Sequence, residues 1–97
     1  PSIVVEDIDP RTVRLTVQRA ALFSNYIGLK RVIDTVDPTR NIVIDFSTAH
    51  LVDHSTMQYM HETAAEFAHA GRSFTITGLE RHRPDSDHPS ATRRLAA

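Results

Sequence analysis

From Ser2 to Val17 the chain alternates: Val5, then Val13, Leu15 and Val17 fall on one face, with Thr12, Arg14, Thr16 and Gln18 on the other. A period of two predicts strand. Asp9-Pro10-Arg11, midway, predicts a turn, because the proline ring fixes its own φ and restricts its neighbour. The stretch therefore reads as a β-hairpin. After Phe23 the period becomes helical, with Tyr26, Leu29, Val32 or Ile33, and Val36 three to four residues apart. That predicts a helix over residues 24–36, with Ser24 or Asn25 as N-cap; Pro38 cannot continue it. Ile42-Val43-Ile44-Asp45-Phe46 is β-branched and apolar on both faces, the pattern of a central strand covered on both sides.

Between Ser55 and Ala70, Met57, Met60, His61, Ala64, Phe67 and Ala68 draw an apolar stripe at helical spacing, opposed by Gln58, Glu62 and Glu66. Gly71 supplies a C-terminal cap. Residues 73–77 alternate again, with Phe74 and Ile76 on one face, and Gly78 ends them. The predicted order is β-β-α-β-α-β, an α/β fold with a mixed sheet flanked by helices, since two strand-helix-strand units imply parallel neighbours. Residues 79–97 read as a polar segment, loop as far as Pro89, with Ser90 to Leu95 able to close a short helix.

At 97 residues the chain is predicted to be one domain spanning 1–97. Lys plus Arg (11) nearly cancels Asp plus Glu (12), leaving a net charge of -1 and no field to gather nucleic acid. Six histidines could carry that charge to +5, so the surface charge is expected to respond to pH near neutrality. The absence of Cys removes disulfides, thiol catalysis and thiolate metal sites. No apolar run approaches the roughly 20 residues of a membrane span.

The densest polar stretch is Asp45 to Thr56, which follows the central strand, where ligands of open α/β sheets bind. Asp53, His54, Ser55 and Thr56 open the next helix, and its first N–H groups could meet an anion or a modified hydroxyl. Ser55 with Gln58 fits a capping box, and Asp53 is an equally good N-cap. Ser47, Thr48 and His50 form the loop before it. His50 and His54 lack a third ligand, so no metal is expected. Ser55, His54 and Asp53 are adjacent in sequence and cannot adopt triad geometry, and there is no glycine-rich phosphate loop. His61 is expected as a hydrogen-bonded residue on the apolar face, and His69 as solvated. Met57, Met60 and Phe67 read as core. No catalytic residue and no cofactor is expected.

Asp45-Phe46-Ser47 through Leu51-Val52-Asp53-His54-Ser55-Thr56-Met57, preceded by Ala21-Leu22-Phe23-Ser24-Asn25, resembles the STAS domain (sulfate transporter and anti-sigma factor antagonist). Within that family it is most similar to the cytoplasmic C-terminal domain of SulP-type anion transporters. Gly78-Leu79 with His82, Pro84, Ser86, His88-Pro89, Ala91 and Arg93 resembles the segment after the last strand in the sulfate and bicarbonate branch. The resemblance covers about residues 11–95 and implies an anti-sigma factor antagonist-like fold.

The resemblance also implies a non-catalytic regulatory and interaction domain, held at the cytoplasmic face of the inner membrane by a multi-pass transporter. Its implied partners are the transporter's membrane domain, a second copy of the domain and a soluble regulatory protein, with weak nucleotide or anion binding at the helix start. The alternative it implies is a stand-alone anti-sigma factor antagonist regulated by serine phosphorylation. In that branch the regulatory serine follows an Asp-Ser pair and precedes Gly. Asp53 and Ser55 match, whereas His54 stands for the first serine and Thr56 for the glycine, which points toward the transporter branch. Fuller members of the family carry a further strand and helix, which this chain is expected to lack.

Overall fold

The computed structural model describes residues 2–96. Strands β1 (Ser2–Asp9) and β2 (Thr12–Ala21) form the expected antiparallel hairpin. Its corner is closed by Asp9 Oδ1, which accepts from the Arg11 N–H at 2.7 Å. A 3-10 turn over Phe23–Asn25 leads into helix α1 (Tyr26–Thr35), then strand β3 (Asn41–Asp45), strand β4 (Ala49–Val52) and helix α2 (His54–His69). Strand β5 (Phe74–Thr77) and two short strands, β6 (His82–Pro84) and β7 (Arg93–Leu95), complete the described chain.

The first half of β2 pairs with β1 and, in parallel, with β3, and β3 pairs in parallel with β5. Both strand-helix-strand units thus join parallel neighbours as expected. At Arg19 the strand bulges, with a φ of 67°, and its last residues pair in parallel with β4. A hairpin of β6 and β7 then adds antiparallel to β4. The sheet is mixed and runs β5-β3-β2-β4-β7-β6, with β1 alongside β2.

The register explains the core. Val13, Ile42 and Phe74 form one rung across β2, β3 and β5, and Leu15, Ile44 and Ile76 form the next. These rungs meet Leu29 and Ile33 of α1 and Met57, Met60 and Phe67 of α2 in one cluster. Only that face of β3 is buried; Val43, between Arg14 and Thr75, is half-exposed. The expectation of a strand covered on both faces is therefore corrected, because both helices contribute to the same core cluster. Along α2 the inward face also differs from the expected stripe. Thr56 and Thr63 are buried, whereas His61 and Ala68 are exposed. Thr63 fits because its hydroxyl donates to the Tyr59 carbonyl at 2.8 Å.

Gly71, at φ 74°, ends α2 as predicted. The Arg72 N–H donates to the Phe67 carbonyl and the Gly71 N–H to the Ala68 carbonyl, the paired bonds of a Schellman cap. Further expectations fail: residues 49–52 and 82–84 are strands rather than loop, and residues 90–95 form no helix, with Arg93–Leu95 a strand instead. Pairing with β4 supplies the backbone partners that so short a helix would lack. Among the described residues no helix is long and apolar enough to cross a membrane.

Candidate functional site

Asp53 organises the start of α2. Its backbone is extended, and its Oδ1 accepts from the Thr56 N–H at 2.9 Å, so Asp53 rather than Ser55 is the N-cap. The other oxygen, Oδ2, accepts from the Phe23 N–H at 2.8 Å. One carboxylate therefore ties the start of α2 to the chain entering α1. Burial alone would raise the Asp53 carboxyl, but the N–H donors of Phe23 and Thr56 outweigh it and hold the group below its ordinary range.

Because the folded-state pKa is lowered, the contribution of Asp53 is complete above the unfolded value of about 4 and is lost as pH falls through the folded value. Asp53→Ala is expected to lower stability by about 1–2 kcal/mol at neutral pH, the usual cost of losing such a cap. The gap between variant and parent should close below about pH 4. Thermal melts between pH 3 and 7 check this.

The other helix-start residues part company. Thr56, at 1% exposure, turns into the core, and its hydroxyl has no partner among the described residues. His54 is turned toward the C-terminal segment: its N–H donates to Thr92 Oγ1 at 3.0 Å and its Nδ1 to the Ser90 carbonyl at 2.7 Å. Ser55 is half-buried and lines a shallow groove of about 270 Å³ with Phe23, Tyr26, Gln58, Tyr59 and Glu62.

The groove rests on an aromatic ladder. Phe23 stacks on Tyr26 at 5.0 Å between ring centres, and Tyr26 meets Tyr59 edge-on at 5.5 Å. Phe23, which lines the groove with Ser55, is 57% exposed, and Ile27, the residue after Tyr26, is 54% exposed. Burial pushes the Tyr59 hydroxyl above its ordinary value and keeps it neutral. Sequence reasoning missed this ladder, although its signals were present: Phe23 and Tyr26 are three apart, and Ser55, Tyr59 and Glu62 share one face of α2 at i, i+4 and i+7.

Ser47 and Thr48 lie in the turn between β3 and β4, and His50 is exposed on β4. The Ser47 N–H donates to Asp45 Oδ1 at 2.8 Å, and the Thr48 hydroxyl donates to the Val17 carbonyl at 3.2 Å. β4 holds this turn about 10 Å or more from the start of α2, at roughly 3.3 Å per residue. The two sets of predicted residues therefore form two separate surfaces.

The chemistry open to the site is limited. Among the described residues no cluster of His, Asp and Glu could hold a metal ion. His54 and His61 bond to Ser90, not Ser55, so no imidazole is placed to activate the Ser55 hydroxyl. The N–H groups of His54, Thr56 and Met57 are taken by Thr92, Asp53 Oδ1 and the Asp53 carbonyl. The helix start thus leaves few donors for an added anion.

No family model matches the chain, and no curated protein matches it. Among solved structures it is similar to the crystal structure of an antisigma-factor antagonist STAS domain from Rhodobacter sphaeroides. The two share 23% identity and a TM-score of 0.57, over 80% of this chain and 86% of that one. The chain therefore has the fold of a STAS domain: a mixed sheet flanked by helices.

Proposed function

We propose that this chain is a single non-catalytic interaction domain, the regulatory domain of a SulP-type sulfate or bicarbonate transporter at the cytoplasmic face of the membrane. The observation that carries the interaction role is the groove beside Ser55, where Phe23 stays more than half exposed over the aromatic rings of Tyr26 and Tyr59. Exposed apolar side chains rimmed by polar ones fit contact with another protein. The transporter assignment draws on the two motifs quoted above, residues 45–57 and 78–93. They are far apart in sequence and touch in space, through the bonds of His54 to Thr92 and Ser90.

One observation favours a second reading. The structural neighbour is an antisigma-factor antagonist, and Ser55 stands at the mouth of the groove, where a phosphate would alter docking. Co-expression separates the two. With a transporter's membrane domain, the chain is expected to remain bound through detergent extraction, and Phe23→Ser with Ile27→Ser to release it. Stable binding to an anti-sigma kinase and none to the membrane domain would establish the second reading instead. Binding to neither would overturn both.

A further inference from the structure

We propose that residues 82–95 form a latch held by neutral histidines against β4 and α2, and that acidification releases it. Four of the six histidines make this contact. His82, 7% exposed, uses Nε2 to reach the Ala49 carbonyl at 2.6 Å, while its Nδ1 is buried with no partner among the described residues. Ser90, 6% exposed, is ringed by the other three. His54 Nδ1 donates to its carbonyl, His61 Nδ1 meets its hydroxyl at 3.1 Å, and its N–H donates to His88 Nδ1 at 2.9 Å.

The direction of the response follows from donors and acceptors. A carbonyl only accepts, so the proton of His82 sits on Nε2; a second proton on Nδ1 would be a buried donor with nothing to meet. His88 Nδ1 accepts from a backbone N–H, so protonating it removes that bond outright. Charge on His54 and His88, whose rings are 5.4 Å apart, adds repulsion. His54, His61 and His82 would keep their bonds to oxygen when charged, so the cost of protonation falls on the unpartnered Nδ1 of His82 and on the lost bond to His88.

The charged neighbours do not reverse this. Asp53 beside His54 is engaged by the N–H groups of Phe23 and Thr56, and Asp85 is engaged by Arg94 at 3.2 and 3.3 Å. Asp87 beside His88 and Glu62 beside His61 are exposed. Arg81 and Arg83, either side of His82 in sequence, are exposed, Arg93 of β7 lies opposite Pro84, and on β4 His50 is exposed. The latch does not depend on which partner the groove meets.

Because the closed segment requires the imidazoles of His82 and His88 to be neutral, opening is easier at pH 5.5 than at pH 7.5. The test is amide hydrogen exchange of the whole chain at those two pH values, corrected for intrinsic rates. The amides of Asp85 and Ser90, bonded within the segment, and those of His82 and Ala96, bonded to Leu79 and Arg81 beside it, are expected to lose protection at the lower pH, with Ile42 and Phe46 retaining theirs.

The double variant His82→Gln, His88→Asn keeps a donor and an acceptor at the two positions without titrating, and is expected to stay closed at both pH values. Equal wild-type protection at both pH values, a loss shared by Ile42 and Phe46, or the same loss in the double variant would overturn the latch. If that variant does not fold, nitrogen shifts of the wild-type imidazoles decide: the opening midpoint must coincide with titration of His82 and His88, and a midpoint apart from both overturns it.

Discussion

Gly78→Ala is expected to cost about 3 kcal/mol or more, a large share of the 5–15 kcal/mol that holds a domain together. Gly78 closes β5 at φ 83°. An L-residue there loses about 1–2 kcal/mol to backbone sterics alone. The added Cβ would also lie 2.5 Å from the Ser47 nitrogen, 3.0 Å from the Phe46 nitrogen and in collision with Asp45 Oδ1. Two of these atoms are backbone, fixed by Phe46 N–H bonding to the Thr77 carbonyl and by Asp45 holding Ser47. Relief therefore means moving the exit of the central strand, at the roughly 1–3 kcal/mol of an overpacked site.

Urea titration checks this, with a midpoint shift of about 2–3 M for an m-value near 1–1.5 kcal/mol/M. Gly71→Ala isolates the conformational cost, because Gly71 shares the positive φ but faces open space, and should lose about 1 kcal/mol. Gly28→Ala, on the open side of α1, should gain about 0.5–1 kcal/mol. Equal losses at Gly78 and Gly71 would show that the close approach to Asp45 and Ser47 costs nothing.

What the sequence revealed tracks how strongly one face of each element is buried. β2 announces itself because Val13, Leu15 and Val17 all enter the core while their neighbours stay half-wet. β4 does not: Ala-His-Leu-Val is four residues long, and its identity as a strand comes from β2 and β7 on either side. β6 and β7 are shorter still and carry arginine opposite arginine at Arg83 and Arg94, a pairing that no strand propensity favours. Asp85 eases it by binding Arg94 through two nitrogens.

The start of α2 was legible as a place but not in its division of labour. Asp53 and Ser55 are both good caps on paper. The choice fell to Asp53 because its second oxygen also reaches Phe23, thirty residues earlier. The groove itself joins Tyr26 of one helix to Tyr59 of another, a juxtaposition that only packing creates.

The central claim is that the groove at the start of α2 is where this domain meets another protein, and Ser55→Glu tests it most directly. Ser55 is the second residue of α2, where a carboxylate suits the partial positive charge of the helix end. It makes no side-chain hydrogen bond among those of the described residues, and Asp53 already caps the helix, so the fold should survive. The new charge would sit in the groove with Glu62, against the aromatic ladder, and any apolar partner surface would have to desolvate it. The measurement is association of parent and variant with the co-expressed partner, alongside circular dichroism and a melt. The account predicts an unchanged spectrum, a stability within about 1 kcal/mol of the parent, and binding weakened at least tenfold, about 1.4 kcal/mol. Undiminished binding by a correctly folded variant would contradict it.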